Sequence, residues 1–432
     1  MDVRKWSSVA SETTAEMILS LIVPIQCSVL RLFGLLPSGG NNCQVVCRII
    51  GGVLLLAGWA HLILFYSTGV VSQLNGKLTS KENKGRFSPV VYIVQETVFI
   101  AMNARALLII SLFYFDQSLL RRLFAGSKRF LIGCFNSDIT ANHKYYRKWS
   151  LLGIGLFVVF AWAMIGWEIF GWIKNHFNHE GGFMVWIDVP AFPSLTGKVS
   201  NLGELCMWCL GNTLPFGVSV QLWICFVVFT VMLSDSVQVF VHTLEKGVET
   251  SGDGDAPLSR VNRGKKVTEL IRDYEAIADF NDCLNSTMGL TFWLLYYLDL
   301  FTILGQVTGF TVPGQDDTLW DTAENVLGGV IWLSFLMLMM RPCMKAHETA
   351  QEIPKILYVQ LVNSIPTLDG PEGEEYVSAI TALMNTSRAR TIMMNGNGLL
   401  MGTRPALVAV FYFIGTFIII FDEIIEVMPH TD

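Results

Sequence analysis

The sequence predicts an all-α integral membrane protein with seven transmembrane helices, a cytoplasmic N-terminus and an extracellular C-terminus. Three observations predict this fold class. The 432-residue chain is 52% hydrophobic and only 15% charged, with a mean hydropathy of +0.47, which is too apolar for a soluble protein of this length. Seven runs of about 20 apolar residues, the length that a helix needs to cross a bilayer, follow one another. Basic residues are concentrated in alternate loops between these runs.

The seven apolar runs define the predicted spans, and each is free or nearly free of Lys and Arg. They cover residues 48–67, 89–115, 149–173, 205–234, 286–310, 318–340 and 404–427. The sequence shows no extended alternation of polar and apolar residues, which would indicate the strands of a membrane barrel. Helices are therefore expected throughout.

Four regions follow from these spans. Residues 1–47 form a cytoplasmic segment with a short or re-entrant helix, and they lack the small-residue cleavage pattern of a signal peptide. Residues 48–340 hold the first six spans. Residues 341–403 contain cytoplasmic anchor helices, and residues 404–432 hold the seventh helix and the extracellular C-terminus.

The loop charges determine the orientation. Counted from the N-terminus, the loops of one compartment contain 3, 7, 6 and 5 Lys or Arg residues, and those of the other contain 4, 2, 0 and 0. Because cytoplasmic loops carry the basic excess, the first compartment is the cytoplasm. This orientation is the inverse of the one that G-protein-coupled receptors adopt.

Helices are expected to extend beyond the membrane on the cytoplasmic side. Residues 236–266 contain glycines, a proline and clustered charges that predict a mobile loop. From Val267 apolar residues recur at intervals of three and four, so the fifth span begins as an amphipathic helix. A further helix is predicted over about 374–394. These extensions form either a bundle within one subunit or an assembly domain between several subunits.

Two sets of residues in the last third of the chain have family-specific spacing. The first set lies around the start and end of the final span: Gly398, Leu399, Arg404, Thr416, Phe417, Glu423 and Ile424. The second set follows the sixth span: Arg341, Pro342, Cys343, Ala346, Glu348, Thr349 and Ile353. In both sets the chain resembles the insect gustatory receptors, the chemoreceptor family to which the odorant receptors are related. It departs from that family where Phe417, Glu423 and Ile424 replace Tyr, Gln and Phe.

The resemblance implies a ligand-gated cation channel. It implies a homotetramer, or an assembly with related receptor subunits, in which the seventh helices line a central pore for cations. The expected partners are a small-molecule tastant, other subunits, the lipid bilayer and the permeating cations, with no nucleic acid. The expected location is the cell membrane of chemosensory neurons or other sensing cells.

The seventh helix can be interpreted as a pore helix. Tyr412, Thr416, Ile419, Ile420 and Glu423 project from one face of a helix. Around a four-fold axis, a ring of Ile420 side chains would form an apolar constriction that gates by dewetting. A ring of Glu423 carboxylates one turn further out would attract cations. The predicted pore residues are Thr416, Ile419, Ile420 and Glu423.

Polar and aromatic residues collect in the predicted outer halves of spans two to six. Ionisable groups in a span usually face a bundle interior or a wet cavity, so these residues predict the ligand pocket. They are Tyr92, Gln95, Glu96, Trp167, Glu168, Asn212, Tyr296, Tyr297, Asp299, Thr302, Gln306 and Glu324. Their chemistry favours a sugar, with a cationic bitter compound next. Arg105, inside the second span, could pair with Glu168 or Asp299.

Two other functions stay open at this point, a seven-helix receptor of the G-protein-coupled type and a membrane transporter. The charge asymmetry argues against the first, and the absence of a sequence repeat argues against the second. The sequence contains no nucleophile elbow, phosphate loop or His-rich cluster, so no enzymatic activity, catalytic residue, cofactor or metal site is expected.

Overall fold

Helices form nearly all of the chain that the structure describes. The computed structural model describes residues 22–36, 41–63, 89–133, 146–155, 158, 184–187, 197–200, 211, 213–249, 258–311, 319–364, 371–396 and 398–427. Within these ranges the predicted helical fold is confirmed. The helices are α1 Pro24–Leu32, α2 Asn41–His61, α3 Pro89–Phe115, α4 Gln117–Gly133, α5 Leu214–Glu249, α6 Leu258–Thr311, α7 Leu319–Ser364, α8 Pro371–Ala389 and α9 Arg404–Val427. Residues 146–155 are helical as well.

Two short antiparallel hairpins correct the expectation of an exclusively helical chain. Strand β1, Met184–Ile187, pairs with β2, Gly197–Ser200. Strand β3, Asn395–Gly396, pairs with β4, Leu400–Met401. Both escape a search for strand alternation because strands of four and two residues are too short to show a period.

Several helices are long and apolar enough to cross a bilayer. In the part of the chain that the structure describes, these stretches are Asn42–His61, Leu214–Glu245, Val267–Gly309 and Asn325–Asn363. Shorter apolar helical stretches cover Ile100–Phe115 and Arg404–Ile420. The protein is therefore a membrane protein with several apolar helices. The predicted bounds of the second and seventh spans agree with α3 and α9 to the residue.

Several other described boundaries differ from the prediction because helices continue past the apolar runs. The third predicted span, 149–173, lies mostly outside the described residues. Helix α6 has 54 residues and is about 80 Å long, far more than the roughly 30 Å of a hydrocarbon core. The predicted mobile loop over 236–266 is mostly helix, since α5 ends at Glu249 and α6 begins at Leu258. The helix predicted over 374–394 ends earlier, at Ala389.

Helix α5 lies at the centre of the fold. Its residues from Pro215 to Ser234 are mostly apolar and nearly all buried, as expected of a helix surrounded by protein. Trp223 and Phe226 are buried, and each contacts a ring of a neighbouring helix. Trp223 meets Phe335 of α7 edge to face at 4.7 Å, and Phe226 stacks on Phe292 of α6 at 5.6 Å. Helices α6 and α7 are therefore both packed against α5.

Helix α4 occupies a region that the sequence suggested only as a basic loop. Asp116 caps its N-terminus by accepting a hydrogen bond from the Ser118 main-chain N–H at 3.0 Å. The Ser118 hydroxyl also donates to this carboxylate and lowers its pKa. The apolar face of α4 packs on α6, where Phe130 stacks on Phe280 at 4.3 Å.

A tight turn after α1 depends on Gly34. Its φ is +66°, a conformation that side chains disfavour, and a Cβ atom there would lie 2.7 Å from main-chain atoms of Arg48. The Gln117 side-chain amide donates to the Gly34 carbonyl at 2.7 Å. The turn thus brings α1, α2 and α4 together.

We expect Gly34→Ala to lower the free energy of unfolding by about 1–3 kcal/mol, because the added methyl group meets a main chain that cannot move aside. Gly155→Ala is the control, since Gly155 is helical and a Cβ atom there has no neighbour within 4 Å. Thermal unfolding of both purified variants in nanodiscs measures the difference. Equal unfolding temperatures would contradict this account of the turn.

Candidate functional site

A buried ion pair joins α3 to α6. Arg105 Nε donates a hydrogen bond to Asp299 Oδ1, and both side chains are fully buried. A charge inside a membrane protein is stable only when protein groups compensate it. Of the two partners that the sequence offered for Arg105, Asp299 is bound to it, and Glu168 lies outside the described residues.

Two aromatic rings cover the Arg105 guanidinium. Its carbon atom lies 5.2 Å from the centre of the Trp332 ring of α7 and 5.9 Å from that of Phe216 of α5. The two rings meet edge to face at 5.8 Å. Both distances are within the range of cation–π attraction. Four helices, α3, α5, α6 and α7, therefore converge on one cation.

The pair has unused hydrogen-bonding capacity. Among the described residues, Arg105 Nη1, Arg105 Nη2 and Asp299 Oδ2 have no hydrogen-bond partner and are inaccessible to solvent. The guanidinium nitrogens can only donate, and an ionised carboxylate can only accept. A hydroxyl group can do both, so it is the kind of group that this arrangement can bind.

Aromatic residues of α6 lie next to the ion pair along the helix. Tyr297 contacts Tyr296 edge to face at 5.1 Å and Trp293 at 5.3 Å. The Tyr296 hydroxyl donates to the Ala406 carbonyl at 3.1 Å. Since Ala406 belongs to the first turn of α9, this bond ties α6 to the final helix.

The structure describes the side chains of only some of the predicted pocket residues. Asp299 and Thr302 are fully buried, and the Thr302 hydroxyl donates to Leu298 within its own helix. Tyr297 and Gln306 are half-buried. Gln306 Oε1 has no hydrogen-bond partner among the described residues. Tyr92, Gln95, Glu96 and Glu324 lie on α3 and α7 with side chains outside the described part, and Trp167, Glu168 and Asn212 lie outside the described residues altogether.

The predicted pore residues all lie on the uncovered face of α9. Ile419 and Ile420 are 62% and 50% exposed. Thr416 and Glu423 are exposed as well. The opposite face packs on the core through residues that include the buried Leu407. A single chain therefore leaves the predicted pore face without a protein partner in the described part of the molecule.

Two arginines, Arg390 and Arg404, form ion pairs at the two ends of the connection from α8 to α9. Arg404 binds Glu348 of α7 through two nitrogens, at 2.9 and 3.1 Å. Arg390 donates to both Asp282 and Asp279 of α6, and these hydrogen bonds raise its pKa. Arg404 belongs to the first residue set with family-specific spacing and Glu348 to the second. This contact gives both residues a structural role.

Gly398 explains another part of that spacing. Its φ is +78°, so the turn between β3 and β4 requires a residue without a side chain. The Asn395 side chain accepts a hydrogen bond from the Gly398 N–H at 2.5 Å and closes the turn.

Sequence reasoning missed the aromatic residues around Arg105. Trp332 and Phe216 stand in apolar runs that contain many similar rings, and no sequence signal distinguishes the two. Asn285 of α6 likewise cannot be distinguished, from the sequence, from the other polar residues of an amphipathic helix. In the part of the chain that the structure describes, no group of three His, Cys, Asp or Glu side chains could hold a metal ion.

Comparisons with known proteins point to one family. A family model described as 7tm Chemosensory receptor matches residues 25–367, well over half of the chain. The insect olfactory receptor OR5 from Machilis hrabei in complex with eugenol aligns with a TM-score of 0.65 at 12% identity, over 95% of this chain and 99% of that one. A second structure of OR5 from Machilis hrabei aligns with a TM-score of 0.54 at 13% identity, over 97% of this chain and 98% of that one. No curated protein matches the sequence. At these identities the structural likeness shows a shared fold.

We expect Arg105→Leu or Asp299→Leu alone to destabilise the protein by about 3–5 kcal/mol, because each leaves one buried charge unpaired. The double variant should cost less than either single variant, since it removes both charges. Arg122→Gln is the control, as the Arg122–Asp116 pair is exposed and 3.9 Å long and should contribute about 0–1 kcal/mol. Thermal unfolding in nanodiscs measures all four. A loss of stability in the double variant equal to the sum of the two single losses would show that the two charges do not compensate each other.

Proposed function

The chain belongs to the 7tm chemosensory receptor family, and from this premise we propose that it is a ligand-gated, non-selective cation channel of the gustatory type. The family is one of receptors, and its model matches residues 25–367. One of the two sets of motif residues that resemble gustatory receptors lies beyond that range, between Gly398 and Ile424. Two separate parts of the chain thus support a chemosensory role.

The uncovered face of α9 carries the channel proposal. Thr416 and Glu423 project from it, and a carboxylate that faces lipid is costly. When several copies surround an axis with these faces inward, the cost disappears because the carboxylates line water. The same arrangement places Ile419 and Ile420 in apolar rings that can close the pore by dewetting.

The assembly is a homotetramer, or a heteromer with related receptor subunits. Copies of α9 would occupy its centre, and α5, α6, α7 and α8 would extend beyond the bilayer into a cytoplasmic anchor domain. The length of α6, about 80 Å, supports such an extension. In this proposal the chain has seven spans and a cytoplasmic N-terminus, and it resides in the cell membrane of chemosensory neurons or other sensing cells.

The ligand is a small polar molecule, with a sugar favoured and a bitter compound next. The support comes from hydrogen-bonding groups beside aromatic rings in α6, namely Asp299, Tyr297 and Gln306. The neighbour OR5 was solved with eugenol, a small molecule, so this fold holds such ligands. In the proposed pocket these α6 residues act with Tyr92, Gln95, Glu96, Trp167, Glu168, Asn212, Tyr296, Thr302 and Glu324.

The ligand opens the channel by shifting an equilibrium between two packings of the helices. It can do so only by as much as its affinity for the two packings differs. The favoured packing is the one in which the four copies of Ile420 have moved apart. Binding in the bundle and conduction along the axis are therefore separate functions of separate residues.

Expression in a cell line tests the channel proposal. Sucrose, fructose, denatonium, caffeine and eugenol are applied during calcium imaging and whole-cell recording, with a G-protein inhibitor in the pipette. We expect a cation current with at least one probe that survives the inhibitor. A current that disappears with the inhibitor, or no current from protein that reaches the cell surface, would refute a channel formed by this chain.

We expect Glu423→Gln to lower the permeability of Ca²⁺ relative to Na⁺ severalfold, because the ring loses up to four negative charges. Reversal potentials in solutions of the two ions measure this ratio. Glu374→Gln is the control, since Glu374 is an exposed acid on α8. A ratio that stays the same in both variants at equal surface expression would place Glu423 outside the pore.

A further inference from the structure

Three polar side chains are spaced at equal intervals along α6. Tyr274, Asn285 and Tyr296 are eleven residues apart, which is about three turns of an α-helix. They therefore lie on one face of α6, and we call them the α6 stripe. Tyr274 and Tyr296 are buried and Asn285 is half-buried.

Each residue of the α6 stripe binds main-chain atoms of the segment that enters α9. The Tyr274 hydroxyl donates to the Arg390 carbonyl at 2.7 Å. The Tyr296 hydroxyl donates to the Ala406 carbonyl at 3.1 Å. We call residues 390–406 the linker, since they connect α8 to the first turn of α9. Because the contacts are to main-chain atoms, they fix the path of the linker whatever its side chains are.

Asn285 binds the linker as a neighbouring strand would. Its Nδ2 donates to the Met393 carbonyl at 2.9 Å, and its Oδ1 accepts from the Asn395 N–H at 2.7 Å. Residues 393 and 395 expose these groups on one edge of the chain, while β3 pairs with β4 on the other edge. The amide side chain makes both bonds at once through separate atoms, whereas aliphatic side chains do neither and carboxylates only accept.

Further contacts hold the linker against both α6 and α7. The Gly396 main chain approaches α6 so closely that a Cβ atom there would lie 3.1 Å from Trp293 Cβ. A Cβ atom on Gly402 would lie 2.8 Å from Cys343 Cβ of α7. His347 Nδ1 of α7 lies 3.3 Å from the Ile392 carbonyl oxygen. The linker is therefore clamped along its length, and α6 supplies the regular part of the clamp.

The α6 stripe ends within the proposed pocket, because Tyr296 belongs to both. Tyr296 is adjacent in sequence to Tyr297 and three residues from Asp299, within one turn of the same continuous helix. A change of position of α6 around Asp299 is thus carried directly to the Ala406 carbonyl. In an α-helix this carbonyl also accepts the N–H of the residue four positions later, so the Tyr296 bond is an addition to α9 and not a requirement for its formation.

We propose that Tyr274, Asn285 and Tyr296 are positioning residues that couple ligand binding on α6 to the movement of α9. The proposal rests on the proposed channel function. The residues touch neither the permeating ion nor the pore axis. They act by making the linker, and with it the first turn of α9, follow α6 between the closed and open packings.

The test removes one contact at a time. Tyr274→Phe and Tyr296→Phe delete a single hydroxyl, and Asn285→Leu deletes both amide bonds. Thr287→Val is the control, because the Thr287 hydroxyl is buried on the same helix but donates to Cys283 within α6. Whole-cell current is recorded without ligand and with sucrose, fructose, denatonium, caffeine and eugenol, at matched surface expression.

We expect the ratio of probe-evoked to ligand-free current to fall about fivefold for each hydrogen bond lost, the size of one net hydrogen bond. The ratio of Ca²⁺ to Na⁺ permeability should stay at the parental value, which a general loss of structure would not preserve. Hydrogen exchange of the Asn395 amide should accelerate in Asn285→Leu and not in Thr287→Val.

Each outcome decides the proposal. If the parent responds and all three stripe variants match Thr287→Val in current ratio, the coupling proposal is refuted while the channel proposal stands. If Asn285→Leu fails to reach the surface, Tyr274→Phe decides alone, because Tyr296 also belongs to the proposed pocket and its variant can change ligand binding. If the parent carries no current with any probe, the proposed function is refuted and the coupling proposal with it.

Discussion

A charged side chain in a membrane span must find its compensating charge within the protein, and in this chain that constraint joins α3 to α6. Arg105 and Asp299 have no access to solvent, so each is stable only while the other is in place. The pair is further enclosed by Trp332 and Phe216 from the two remaining helices of the bundle. The relative positions of α3, α5, α6 and α7 therefore depend on one interaction between residues 194 positions apart.

Helix α6 connects the buried ion pair to the linker that precedes α9. It is a single helix of 54 residues, fixed by Asp299 within the bundle and bonded to the linker through Tyr274, Asn285 and Tyr296. A helix transmits displacement along its axis because its main-chain hydrogen bonds resist bending. The proposed pocket and the proposed pore helix are thus both attached to α6. No longer series of side-chain contacts is needed to couple them.

The family-specific residues acquire physical roles in this arrangement. Gly398 supplies the positive φ of the β3–β4 turn, and Arg404 pairs with Glu348 at the start of α9. Both residues therefore stabilise the segment from which α9 begins. The exposed face of α9, with Thr416 and Glu423, then points away from the parent bundle and towards the place where other subunits would lie.

The sequence by itself determined the membrane class, the chemoreceptor resemblance and the bounds of α3 and α9, because each of these depends on residues close together in the chain. Apolar runs fix where a helix must cross hydrocarbon, and α3 and α9 end where their runs end. Only the tertiary structure decided that Arg105 pairs with Asp299, that α6 begins as early as Leu258, and that Asn285 completes the edge of β3. The two contacts depend on partners more than a hundred residues away in the chain. The start of α6 lies outside the membrane, where both polar and apolar residues can continue a helix, so the local pattern of hydropathy does not mark where the helix begins.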